Sequence, residues 1–284
     1  MSTVNEILEK ARLVPMLSQS ALALMKLVES GDHSIQDIVR IVEHDPALTA
    51  NVLKVVNAPA FGLGQSVTSL ARAVSFIGDK LVVGIAIGSC SPTVFHSDLE
   101  GYESLAGELW LHSLRTAIAS RELTKYARTE ISPELAFTAG ILHDIGKSLI
   151  SDYLKDKTPE LLDALTNNTA EDFLGAERDA VGVDHCQVGT ALAEHWNLPD
   201  ELTAPIHFHH DPAQADISLR AITYAVHLGD ILAMMGGSST GADGLAYTLD
   251  SGFEEYFTLE PQDIYQLLLT VSLEFERTKT LFFQ

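Results

Sequence analysis

Apolar positions along this chain recur at three- and four-residue intervals almost from end to end, the period of helices with one buried face. Between Ser18 and Ser30, residues Ala21, Leu22, Leu24, Met25 and Val28 fall on one stripe, and Gly31 follows as a stop. Ser34 and Asp37 have capping-box spacing, with Asp in place of the usual Glu or Gln, and Ile35, Ile38, Val39 and Val42 form the apolar face behind them. Asp45-Pro46 combines an N-cap with proline at the first helical position and predicts a helix through Leu48, Val52, Leu53 and Val56 to Asn57. The run from Ala58 to Gly64 reads as a loop. Short helices are predicted at 69–77, ended by Gly78, and at 79–89, and residues 91–101 form a joint. Beyond it the predicted helices span 101–127, 132–143, 147–154, 158–166, 169–180, 184–196, 199–209, 216–234 and 261–281. The glycine- and serine-rich run 236–241 reads as a flexible loop too short to link domains.

No sustained two-residue alternation appears, so little sheet is expected. The pattern predicts an all-α fold, a compact multi-helix array in two packed lobes, 1–95 and 96–284. Segments 34–45 and 46–57 have the outline of a helix-turn-helix. Two packed core helices explain them better, because the second carries only Lys54 as a basic residue.

With 284 residues, 46% of them apolar, the chain can bury one large core or two ordinary ones. No window approaches ~18 uninterrupted apolar residues, so no membrane span is expected. The opening residues lack the basic start and apolar run of a secretory signal. Two cysteines, Cys90 and Cys186, are too few for a disulfide framework, and a cytoplasmic location is expected. The net charge is −21, and residues 1–100 contribute only −3 of it, from 7 basic and 10 acidic side chains. Neither part offers the basic cluster that duplex nucleic acid requires, so duplex binding is not expected.

Histidine is skewed the same way as the acidic charge: eight of the eleven lie beyond residue 100. The most informative run is Ala139-Gly140-Ile141-Leu142-His143-Asp144-Ile145-Gly146-Lys147. An adjacent His-Asp pair can present an imidazole nitrogen and a carboxylate oxygen to one ion. Gly146 lets a substrate or a second chain come close, and Lys147, three residues beyond Asp144, can reach the same place on a helix. Glu108 and His112 share a helix face, His185 opens a helix, His209 and His210 are adjacent, and Asp230 lies three residues beyond His227. Imidazole and carboxylate without thiolate suit Fe, Mn, Ni, Co or Zn. Two ions sharing one carboxylate would suit phosphate chemistry. The competing reading makes His143, Asp144 and Asp230 buried structural polars, Glu108 and His112 a solvated surface pair, and Lys147 a surface lysine. His207 and His227 read as supporting or structural residues, and Cys186 as a small packed one.

His143-Asp144 with a later Asp230 resembles the HD superfamily of metal-dependent phosphohydrolases. Further segments resemble one branch of it, the HDOD domain: residues 46–57, Phe61-Gly62, Ala73-Val74 with Ile77-Gly78, Asp184-His185 with Val188-Gly189, Trp196-Asn197-Leu198-Pro199, and His209-His210-Asp211-Pro212. The resemblance covers about residues 12–235 and implies a helical HD-type fold and a signalling output module. By likeness to the related HD-GYP phosphodiesterases it implies a metal set of His112, His143, Asp144, His185, His209, His210 and Asp230, with Lys147 and Asp144 as catalytic candidates. Glu108 falls at a ligand position of those enzymes too. One or two divalent transition-metal ions would be the cofactor, and a signalling protein or a phosphorylated small molecule the partner. The Gly-Tyr-Pro motif of the HD-GYP enzymes is missing: His210 is followed by Asp-Pro-Ala-Gln-Ala-Asp. That departure speaks against cyclic-dinucleotide specificity and leaves the metal site in place, and the HDOD resemblance itself implies a regulatory module with weak or no hydrolase activity. The alternative is an active phosphohydrolase acting on a nucleotide or a phosphodiester.

Overall fold

A computed structural model of the chain describes residues 3–57, 67–90, 92–95, 97–167, 172–244 and 247–279. The loop expected at 58–64, with its Phe61-Gly62 pair, lies outside them. Among the described residues the regular structure is helical, and strand-like pairing is limited to isolated bridges of Leu99 with Ser104 and Ala127 with Phe257. The first part of the chain forms α1 (Thr3–Leu13), α2 (Gln19–Glu29), α3 (Ile35–Glu43), α4 (Pro46–Val56), α5 (Leu70–Ile77), α6 (Asp79–Cys90) and α7 (Pro92–Phe95). The second part forms α8 (Glu108–Leu123), α9 (Pro133–Leu142), α10 (Lys147–Leu154), α11 (Thr158–Thr166), α12 (Phe173–Val181), α13 (His185–His195), α14 (Asp200–Phe208), α15 (Arg220–Met235) and α16 (Pro261–Lys279).

Local chemistry sets most of the starts. Ser18 accepts from the Ala21 amide at the head of α2, and Asp45 accepts from that of Leu48 at the head of α4. The Ser34–Asp37 capping box forms in full. Helix α1 was not among the predicted elements, since its buried positions, Ile7 and Ala11, span barely one turn. It is held by packing on α10 and α13. The long stretch predicted from residue 101 holds a single 3-10 turn at Glu100–Tyr102 and becomes α-helical only at Glu108, after Gly107 turns the chain at φ +86°. The helix predicted from residue 169 starts at Phe173, where Asp172 caps it by accepting from Gly175.

Helix α8 is the central post, with α9, α15 and α16 packed on it. Two glycines permit the close crossings: a Cβ on Gly140 of α9 would meet the Ala117 backbone, and one on Gly229 of α15 would meet Ser120. Ile38, Val42, Leu48 and Val52 are buried where α3, α4 and α5 pack together, so the two segments of the helix-turn-helix outline pack through their apolar faces. The buried apolar side chains, from Ile7 to Phe275, form one continuous cluster. Each fully buried Leu, Ile or Val contributes about 1.5–3 kcal/mol. No described helix is long and apolar enough to cross a membrane.

Candidate metal centre

Five separate segments bring the polar residues to one buried point. His112 comes from the middle of α8 and Asp230 from α15. His143 and Asp144 lie in the turn after α9, Lys147 opens α10, and His185 opens α13. His209 and His210 follow α14. His112, His143, Asp144, His185, His209 and Asp230 are each 0–3% exposed. Gly146 serves a contact within the chain rather than a substrate: a Cβ there would collide with the His185 carbonyl oxygen, so its absence lets the head of α13 seat against the His-Asp turn.

Asp144 sits between two groups of imidazoles. Its Oδ2 lies 3.3 Å from His112 Nε2 and 3.4 Å from His143 Nε2, and Asp230 Oδ1 adds a contact 3.1 Å from His112 Nε2. Its Oδ1 lies 3.4 Å from His185 Nε2 and 3.5 Å from His209 Nε2. His210 Nε2 joins this second group at 3.2 Å from His185 Nε2.

The tautomers show what the cluster is built to hold. His112 Nδ1 is 2.9 Å from the Ser238 carbonyl oxygen, His143 Nδ1 is 2.9 Å from that of Gly140, and His209 Nδ1 is 3.0 Å from that of Pro205. His185 Nδ1 is 2.9 Å from Glu177 Oε2. An acceptor opposite Nδ1 places the proton there and turns the Nε2 lone pair inward. Two such nitrogens, on His112 and His143, then face each other at 3.2 Å. Asp144 Oδ1 and His209 Nε2 are buried without a hydrogen bond, and Asp144 Oδ2 has the Lys147 ammonium at 2.7 Å as its charge partner. Inward lone pairs and an orphaned carboxylate oxygen at this density fit a cation, because leaving them unpartnered costs about 1–3 kcal/mol per group. The side chains that could hold a metal are therefore two sets sharing Asp144: His112, His143 and Asp230, and His185, His209 and His210.

Protons do part of that work when no ion is bound. Burial disfavours a charged His112, but hydrogen bonds to Asp144 and Asp230 overcome it and raise its pKa to about 10. Burial would raise Asp230, but His112 holds it down to about 2. Burial lowers His143 and drives His210 well below the usual imidazole value. Lys147 stays charged despite burial because Asp144 and Asp243 flank it.

Several supporting residues carried no signal in the sequence. Buried Glu177 accepts from the His185 amide, from His185 Nδ1 and from the Tyr102 hydroxyl. It fixes the ring that Asp144 faces. Residues 236–241, expected as a flexible loop, and the three residues after them are packed against the cluster through Ser238, Thr240 and Asp243. Lys147 Nζ donates to Thr240 Oγ1 at 2.9 Å and to Asp243 Oδ2 at 2.5 Å, and lies 2.7 Å from Asp144 Oδ2. Thr240 and Asp243 are both 1% exposed. Tyr247 stacks on His210 with centroids 3.7 Å apart and donates to Asp243. One Asp in a glycine-rich run has no periodicity to mark it as a partner of a lysine 96 residues away.

Other histidines and Glu108 do different work. Glu108 accepts from Ser104 Oγ and the Leu105 amide at the head of α8, and is spent as a cap. His227 Nδ1 is 2.7 Å from the His209 carbonyl oxygen and its Nε2 accepts from the Asp250 amide, which holds the turn carrying His209. His207 bonds Thr190, and Cys186 packs on the Nδ1 side of His209 at 3.9 Å.

A buried His-Asp cluster in an all-helical frame places the chain among HD-type helical folds. A family model for the HDOD domain matches residues 14–212, well over half of the chain, and the chain belongs to the HDOD family. A Treponema pallidum (strain Nichols) protein, described as uncharacterized, is 27% identical over 205 residues. That match covers 70% of this chain and 38% of that protein, so the chain spans well under half of that relative's length. Among solved structures, a Marinobacter aquaeolei VT8 chain provisionally called a signal transduction protein aligns with TM-score 0.75 at 20% identity, over 98% of this chain and 64% of that one. A Geobacter sulfurreducens HDOD domain protein of unknown function aligns with TM-score 0.63 at 22% identity, over 98% and 93%. A Shewanella amazonensis SB2B chain provisionally called a metal-dependent phosphohydrolase aligns with TM-score 0.58 at 18% identity, over 98% and 96%. At these identities the likenesses speak for the fold.

Proposed function

We propose that this chain is a metal-holding signalling module of the HDOD family, regulatory rather than a competent hydrolase. The observation that carries the reading is closure. The candidate ligands are buried except for half-buried His210, over which Tyr247 stacks, and the position beside Lys147 where a phosphate oxygen would bind is filled by the chain's own Asp243 carboxylate, 2.5 Å from Nζ. Lys147 then neutralises Asp144 and Asp243 instead of recruiting an external anion. His112, His143, Asp144, His185, His209, His210 and Asp230 are the residues that would hold one or two divalent transition-metal ions. A bound ion would supply fixed positive charge and Lewis acidity. Around it, Glu177 orients His185, the Ser238 carbonyl orients His112, and residues 236–244 exclude water. The output in this reading goes through a signalling protein partner. The names of the Marinobacter and Shewanella relatives agree with each half of the reading without deciding between them.

Elemental analysis of protein purified without a metal-affinity tag, with turnover of a generic phosphodiester, tests it. The expected result is Fe, Mn, Ni, Co or Zn near stoichiometry with negligible turnover. Asp144→Ala is expected to lower metal content and melting temperature together. A metal-free wild type whose melting is unmoved by Asp144→Ala would overturn it.

The retained ligand set favours a second reading, an active phosphohydrolase acting on a nucleotide or phosphodiester that enters when residues 236–244 move aside. Asp243→Ala removes the carboxylate that occupies the phosphate side of Lys147, leaving Asp144 and Thr240 as its partners, and decides between the two. A rise in turnover of about a hundredfold or more, the least expected when one charged group is restored to phosphate, favours the hydrolase.

A further inference from the structure

Helix α16 lies beyond residue 212, where the family match ends. It is apolar on two opposite faces. Leu267, Val271 and Phe275 are buried in the row that packs on α8, and Arg115 lies over the Phe275 ring. Two residues out of step, about 200° round the helix, Tyr265, Leu269 and Leu273 are 75%, 56% and 55% exposed. A surface helix normally turns a polar face outward. A continuous outward row of a tyrosine and two leucines is the pattern of a helix packed on both sides.

The row is symmetric about Leu269. Gln262, Tyr265, Leu269, Leu273 and Glu276 are all exposed and follow one another at intervals of 3, 4, 4 and 3 residues. A two-fold axis through Leu269 with the helices antiparallel sets Leu269 on its counterpart and Tyr265 on Leu273. It also sets the Gln262 amide level with the Glu276 carboxylate, a donor opposite an acceptor, once at each end. Parallel pairing would set Glu276 against Glu276, and like charges at this spacing repel.

We propose that α16 is a homodimerisation helix, and that a second copy of this chain covers Tyr265, Leu269 and Leu273 in an antiparallel, isologous contact. This does not depend on the metal reading. Nineteen residues give a helix of about 28 Å, and one helix face falls short of the ~800 Å² per partner of a standard interface. The association is therefore reversible, micromolar or weaker. The −21 charge on each copy opposes it mainly through charges within about 8 Å of one another, since screening at physiological salt damps the rest.

Sedimentation equilibrium of the 284-residue chain at physiological salt, over a hundredfold concentration range, tests the proposal. The wild type is expected to follow a monomer–dimer equilibrium. Leu269→Glu is expected to weaken the dimer about tenfold or more, as truncating a central contact does, with the far-ultraviolet spectrum and melting temperature unchanged because the side chain is exposed. Gln262→Lys, facing Glu276 of the second copy, is expected to tighten the dimer roughly threefold, and Gln262→Glu to weaken it by a similar factor. A wild type that stays monomeric throughout overturns the proposal. So does association that Leu269→Glu leaves intact, or Gln262 variants that both shift it the same way.

Discussion

Glu177 shows how one side chain can govern a site it does not enter. Its two oxygens receive three donors, the His185 amide, His185 Nδ1 and the Tyr102 hydroxyl. A glutamine has one acceptor oxygen, so its NH2 would face either His185 donor groups or the Tyr102 hydroxyl, and in either case one buried proton would lose its carboxylate acceptor. Glu177→Gln is therefore expected to cost about 1–3 kcal/mol. With the His185 ring no longer fixed, metal affinity should fall about 10- to 100-fold. Competition against a chromogenic chelator measures the second effect, and unchanged affinity would show that the ring is held by packing alone. His143, Asp144 and Lys147 stood out in the sequence because they fall within one five-residue run, with apolar residues before it and Gly146 beside the lysine. Glu177, Thr240 and Asp243 were not, because each is an ordinary polar residue whose role comes from a partner far along the chain.

At the level of elements, caps and stops were read well wherever they are local. Ser34–Asp37 and Asp45-Pro46 act through bonds spanning three residues, so their sequence spacing is their geometry. Contacts between elements were not readable, and Lys80–Glu134 is one of them. It joins α6 to α9 at 3.0 Å and spans the two parts of the chain. Burial pushes the Glu134 pKa up, but the hydrogen bond and charge of Lys80 outweigh it, and the net shift is below the ordinary 4.5. A depressed folded pKa means the stabilisation is present above 4.5 and is lost as pH falls through the folded value. Glu134→Gln is expected to destabilise the protein by less than ~1 kcal/mol at neutral pH and to match the wild type below the folded pKa. Paired thermal melts across that range check it, and a difference that persists in acid would assign the effect to packing.

On the scale of the whole molecule, the HDOD fold is one continuous apolar cluster with a polar knot inside it. We propose that 1–95 and 96–284 are lobes of one cooperative unit, strapped together by α1 on α10 and α13 and by α6 on α9. Urea unfolding is then expected as a single transition, coincident by near- and far-ultraviolet circular dichroism. Added transition metal should shift that whole transition to higher urea, because an ion bound only by the folded state stabilises all that unfolds with it. Two separated transitions, with only the second moved by metal, would mean that the lobes unfold independently.

The sequence by itself determined the all-helical class, most helix starts and the His143-Asp144 pair with Lys147 beside it. Each of these rests on a short-range relation: a 3.6-residue period, a cap three residues from its amide, a pair of adjacent polar residues. Tertiary structure alone decided that α1 is a helix held by its neighbours, and that Gly146 makes room for the head of α13. It also decided that the glycine-rich run 236–244 closes over the site, with Asp243 on Lys147. It set Glu177 behind His185 and turned the second apolar row of α16 outward. Those outcomes depend on which surfaces meet after the helices form, and pairing distant surfaces leaves no period in the chain for a sequence to show.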